Sequence, residues 1–198
     1  MKTEKTVVTS SGKGIEKALS ITEKLGIDSG LESRPVLHLR LIAEDLFGML
    51  HGIAKETVSD YWIEYEGKSF EFHIRSDVKM TEEMRNQFLN ASSSGKNAAA
   101  TGFTGKIRVF IADALLSVKE IAPYAKMSTA SAYPGDTGSV WTMSDYKNEI
   151  MKNLHKDENE EADKAWDELE KSVIAKLADD IKVHIIGKNV EIIVYKSF

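Results

Sequence analysis

The stretch SSSGKNAAATGFTGK (92–106) holds the residue types that can receive an anion. It is small, hydroxyl-rich and punctuated by glycine, and it carries Lys96 and Lys106, with Arg108 just beyond. No carboxylate occurs from Ala91 to Ala112, although the whole chain has a net charge of −5. Backbone N–H groups at a helix N-terminus attract anions, and glycines let a phosphate approach closely. A Walker A loop would need GxxxxGK[ST]. Here Gly95-Lys96 is followed by Asn97 and Gly105-Lys106 by Ile107, so the stretch is not one. The competing reading is a connector whose lysines keep it soluble.

A second group lies in LIAEDLFGMLHG, where Glu44, Gly48 and His51 fall at helical i, i+4 and i+7 spacing beside an apolar stripe. Glycine in a helix interior costs about 1 kcal/mol relative to alanine. Something is therefore expected to approach the backbone at Gly48, either a ligand or a packed neighbouring strand. A carboxylate such as Glu44 or Asp45 beside that gap can act as a general base or hold a metal-bound water. The commoner alternative is a solvated helix face. The five histidines show no HxH, HxxxH or HExxH spacing and the chain has no Cys, so neither supports a metal site.

The elements that must position these residues follow from periodicity. KTVVTS (5–10) reads as a strand, and GIEKALSITEKLGI as a helix ending near Gly26. Pro35 opens the next helix, whose stripe is Leu39, Ile42, Ala43, Leu46, Leu50 and Ile53. DYWIEYEGKSFEFHIRSD (60–77) is a hairpin about Gly67-Lys68. Its register pairs Tyr65 with Phe70, Ile63 with Phe72 and Tyr61 with Ile74 on one face, and Trp62 with His73 and Glu64 with Glu71 on the other. The opposition of Glu64 and Glu71 is mildly unfavourable unless Lys68 or Arg75 screens it.

TEEMRNQFLN predicts a short helix, and another is expected from about Thr104 to Lys119. Residues 120–157 read as irregular, with Ser144 able to cap a short helix and with Tyr124, Tyr133, Trp141 and Tyr146 spread through them. An acidic helix then sets Ala162, Ala165, Trp166, Leu169, Val173 and Leu177 on one face. IKVHIIGKNVEIIVYK closes the chain as a second hairpin, pairing Ile185 with Val190, Val183 with Ile192 and Ile181 with Val194. The pattern predicts an α+β protein: a two-layer α/β sandwich with helices on one face of a mixed, largely antiparallel sheet. The acidic balance argues against a nucleic-acid partner. No stretch approaches the roughly 18 apolar residues of a membrane span. A signal-peptide core is missing from MKTEKTVVTSSGKG, so the expected location is cytoplasmic.

This order of elements, entered through LHLRLIAEDLFGMLHG and with SSSGKNAAATGFTGK before a helix, resembles the GHKL superfamily of ATP-binding domains. That superfamily includes histidine kinases, gyrase and the bacterial anti-sigma-factor serine kinases, the last being nearest. The resemblance covers roughly residues 4–119 and 160–196 and implies one domain over 1–198 with an irregular insertion at about 120–157. It puts Glu44 at the place of the activating Glu of the family's Glu-x-x-x-Asn, with Gly48 where the Mg²⁺-binding Asn stands. Asp77 falls near the adenine-binding Asp, although Val78, Lys79 and Met80 supply no glycine. Ser94, Lys96, Gly102, Gly105 and Lys106 correspond to the lid over the phosphates, and Gly187-Lys188-Asn189 to the late Gly-Thr. The resemblance implies a regulatory protein that binds ATP or ADP without relying on Mg²⁺ and with little or no hydrolysis. If it does turn over, it is a kinase or ATPase of this type. The alternative is a nucleotide-free interaction module of anti-sigma kind, meeting a protein partner through 120–157.

Overall fold

The computed structural model describes residues 1–51, 57–78, 102–120, 138–154 and 160–198. In chain order the elements are β1 (Thr6–Thr9), α1 (Ile15–Asp28), α2 (Ser33–His51), β2 (Val58–Glu66), β3 (Ser69–Asp77), α3 (Gly102–Glu120), β4 (Ser139–Thr142), α4 (Met143–Leu154), α5 (Glu160–Lys171), α6 (Val173–Leu177), β5 (Asp180–Ile186) and β6 (Asn189–Ser197). The fold is α+β, an open six-stranded sheet in the order β1-β2-β3-β6-β5-β4. Among the described residues every pairing is antiparallel, so the parallel component of the expected mixed sheet is not found there. The cause is edge-to-edge docking of the two hairpins, which sets β3 against β6 in opposite directions.

Both hairpins adopt the register expected from their Gly-Lys turns, with Ile63 opposite Phe72 and Val183 opposite Ile192. Gly67 and Gly187 sit at φ 58 and 60, the left-handed conformation such turns demand. Period-two alternation then sends Tyr61, Ile63, Phe72, Ile74, Ile181, Val183, Ile192 and Val194 to one face, where all are buried. That face meets Ala18 and Leu19 of α1, Leu39, Ile42 and Leu46 of α2, and Phe103, Ile107 and Ile111 of α3. The opposite face carries Lys5, Asp60, Trp62, Glu64, Glu71, His73, Arg75 and Glu191, with Val7, Val58 and Ile186 exposed.

Three further expectations change. The segment expected to be irregular contains β4 and α4. The cap of α4 is Thr142, not Ser144: the Thr142 hydroxyl accepts the Asp145 N–H at 3.0 Å and donates to the Asp145 carboxylate at 2.7 Å. The Ser144 N–H instead donates to Asp180. Trp141 and Tyr146 fold back on Phe103 of α3, with ring centroids 6.0 and 6.2 Å away, so these two aromatics cover the core. Tyr124 and Tyr133 lie outside the described residues, as does TEEMRNQFLN. The acidic helix is also two helices, broken at Ser172. That residue is extended, and its hydroxyl accepts the Ala175 N–H to start α6.

Candidate functional site

The hairpin register builds one end of the sheet. Asp77 closes β3 and stands opposite Asn189, the first residue of β6, and the next N–H, that of Val78, donates to the Lys188 carbonyl at 2.9 Å. One residue earlier, Ser59 and Ser76 share a buried hydroxyl contact of 2.6 Å. The last turns of α2 reach the same end. Phe47 joins Val8, Thr9, Ser10, Ile15, Thr57 and Ser59 around a cavity of about 10 Å³, room for a single water at most.

Helix α3 is tied to this end by Arg108, which donates through Nη2 to the Gly48 carbonyl at 2.9 Å and through Nε to the Met49 carbonyl at 3.3 Å. Partial burial lowers its pKa from the usual guanidinium range, yet a cation among the last carbonyls of a helix is favourably placed against the helix dipole. Arg108→Ala is expected to cost about 1–3 kcal/mol in urea unfolding, with Arg108→Lys recovering only part of it. An alanine variant as stable as the parent would show that the contact adds nothing.

The structure separates the carboxylates from each other by role. Glu44 is exposed and accepts from Arg40 Nε at 2.8 Å, while Arg40 Nη1 donates to Glu23 of α1 at the same distance. Asp45 is half-buried; burial raises its pKa, and the backbone N–H of Ile174 in α6 opposes that rise. Asp45 therefore holds the start of α6. At Gly48 an added Cβ would meet nothing within 4 Å among the described residues, so the expected close approach is not seen. What Gly48 receives is the Arg108 side chain, on its carbonyl.

Of the lid residues, Gly102 opens α3 at φ 79, Gly105 is buried and Lys106 is exposed. Asp77 is exposed as well. Ser94 and Lys96 lie outside the described residues. Among the described residues no group of three His, Asp or Glu stands ready to hold a metal ion, and no helix is long and apolar enough to cross a membrane.

A further cluster was not singled out from sequence. On the sheet face opposite the helices named above, Trp62 stacks on His73, with centroids 4.8 Å apart and planes 8° from parallel. Lys2, Lys5 and Arg75 lie over the Trp62 ring at 4.6, 4.9 and 5.5 Å. Glu64 is screened by Lys2 at 2.9 Å, not by Lys68 or Arg75, and it also accepts from Trp62 Nε1. Arg75 pairs with Glu191 at 2.8 Å. Burial alone would raise the Glu191 carboxyl, but hydrogen bonds from His73 and Arg75 outweigh it and hold its pKa down at about 2. The cross-strand register did place Trp62 beside His73. What it could not show is the N-terminal segment, whose lysines lie over the Trp62 ring.

No family model, curated protein or solved structure matches this chain.

Proposed function

We propose that this chain is a GHKL-like regulatory domain that binds ATP or ADP and hydrolyses it little or not at all, in the cytoplasm. The observation that supports this reading is the pairing of Asp77 with Asn189 beside the Gly187-Lys188 turn. It sets the proposed base-binding carboxylate against the proposed counterpart of the late Gly-Thr. Arg108, joined to Gly48 and Met49, holds the helix that begins at Gly102 against the last turns of α2. In this proposal Asp77 meets the base, and Ser94, Lys96, Gly102, Gly105 and Lys106 meet phosphate.

With Gly48 in place of the metal-binding Asn, nucleotide binding is expected to be nearly independent of Mg²⁺, which ordinarily neutralises much of the charge in phosphoryl transfer. The test is a titration of ATP and ADP with and without Mg²⁺, together with phosphate release. Lys96→Ala with Lys106→Ala is expected to weaken binding about tenfold or more, two charge-assisted contacts being lost. Mg²⁺-dependent turnover that vanishes in Glu44→Ala would contradict the reading and make the protein an enzyme.

The second reading, a nucleotide-free interaction module, is favoured by the exposed Val7, Val58 and Ile186 on the sheet face opposite the helices. It gains if the domain ignores every nucleotide while substitutions on that face abolish binding to a protein partner.

A further inference from the structure

We propose that the recess where α4, α5 and α6 meet is a binding site for a small organic anion with a flat apolar body, an aromatic carboxylate being the simplest case. The recess has a volume of about 730 Å³, within the roughly 300–1,000 Å³ of sites that take small molecules. The break at Ser172 builds it. Leu169 of α5 and Ala175 of α6 are both buried and line the same floor. On an unbroken helix, positions six apart point about 120° away from each other, so the chain must turn between them. Trp166 stands one turn before Leu169 and Glu170. Its indole packs against the core and also forms a wall of the recess. A flat ring suits that wall better than a flexible chain, which would lose more freedom on binding.

The charges decide what the ring must carry. Lys147 of α4, Lys171 at the end of α5 and Lys176 of α6 stand around the recess with Asp167 and Glu170. Both carboxylates are engaged: Asp167 with Lys171 at 3.8 Å, and Glu170 as acceptor of the Trp166 Nε1 hydrogen at 2.9 Å. Lys147 and Lys176 have no ion-pair partner among the described residues. Three cations against two carboxylates leave this lining one positive charge in excess, in a chain whose net charge is −5. A ligand with a single negative charge balances it. A di- or triphosphate would exceed it and be repelled by Asp167 and Glu170. Glu168 and Glu149 add to that repulsion from outside the lining, beside Tyr146 of α4, whose hydroxyl burial and these two carboxylates push up to about 12. None of Asp77, Gly102, Gly105 and Lys106 lines the recess, so the proposal stands apart from the nucleotide reading.

The test uses the full chain with naphthalene carboxylate as the probe, and the indole N–H resonance of Trp166, assigned with Trp166→Phe, as the readout. The probe is expected to shift that resonance saturably at millimolar concentration or below, leaving the Trp62 resonance in place. Neutral naphthalene carboxamide is expected to bind about tenfold more weakly, because it makes no charge-assisted contact. Inorganic phosphate, which has charge but no ring, should leave the resonance still. Lys147→Gln together with Lys176→Gln is expected to weaken the carboxylate about tenfold. Lys164→Gln is the control, since Lys164 pairs with Glu160 and does not line the recess, and it should bind as the parent does. The proposal is overturned if the carboxylate leaves Trp166 unmoved or shifts only Trp62 or Trp141. It is equally overturned if the carboxamide or phosphate matches the carboxylate, or if the double lysine variant binds as tightly as the parent.

Discussion

Gly14→Ala is expected to destabilise the protein by roughly 3–5 kcal/mol or to prevent folding. Gly14 precedes α1 at φ 83, a left-handed conformation that costs a residue with a Cβ about 1–2 kcal/mol. The larger penalty is steric. A Cβ there would lie 2.1 Å from the Val7 carbonyl oxygen, which belongs to strand backbone and cannot rotate away. Relief requires moving β1 from α1, and that pulls buried Val8 from the core it shares with Ala18 and Leu19. Gly12 is the control: it has φ 95 but open space around its Cβ position, so Gly12→Ala should cost only about 1 kcal/mol. Urea unfolding of the two variants separates steric from conformational cost. Equal stability of the two would contradict the account.

Acid is expected to have the next largest effect, through Glu191. Its carboxyl is held at about 2 in the folded protein against an ordinary value of 4.5. A depressed carboxylate stabilises the folded state above its unfolded pKa and loses that contribution as pH falls through the folded one. The window therefore runs from about pH 4.5 down to about 2, and a difference of this size corresponds to about 3 kcal/mol. Glu191 is only 15% exposed, so solvent screens the effect little. Glu191→Gln should be less stable at neutral pH and should lose less stability than the parent across that window. Parallel pH profiles for the two proteins would rule this out.

How much of this could be read from the chain depended on whether the signal was local. The hairpins were legible because a two-residue Gly-Lys turn and period-two alternation leave one register. The α2 stripe was legible because Leu39, Ile42, Ala43 and Leu46 repeat at helical spacing and are all buried. The break at Ser172 was hidden because Leu169, Val173 and Leu177 continue an i, i+4 pattern across it. In the structure the phase resets, Ile174 turns inward and Val173 is left 48% exposed. Strand β4 was hidden for a different reason: four residues are too few for alternation to show, and only its pairing with β5 makes it a strand.

At the candidate site, Asp77 could be placed at the end of β3, but its partner Asn189 comes from docking of two hairpins more than a hundred residues apart in sequence. Arg108 could be read as a cation near glycines. Its acceptors, however, are backbone carbonyls on α2, which no side-chain pattern encodes. Likewise, Trp62 and His73 were legible as neighbours on a polar face. The cations over Trp62, however, include Lys2 and Lys5, from a segment that pairs with β2 across more than fifty residues.

The most direct test of nucleotide binding is thermal melting of the wild-type chain with ATP, with ADP and without nucleotide, each in the presence and absence of Mg²⁺. A ligand at about 100 times its dissociation constant stabilises by about 2.7 kcal/mol, a shift of a few degrees for a domain of this size. The expected result is a shift of that order with ATP or ADP, essentially unchanged when Mg²⁺ is removed. A melting curve indifferent to both nucleotides at millimolar concentration would contradict the proposed function.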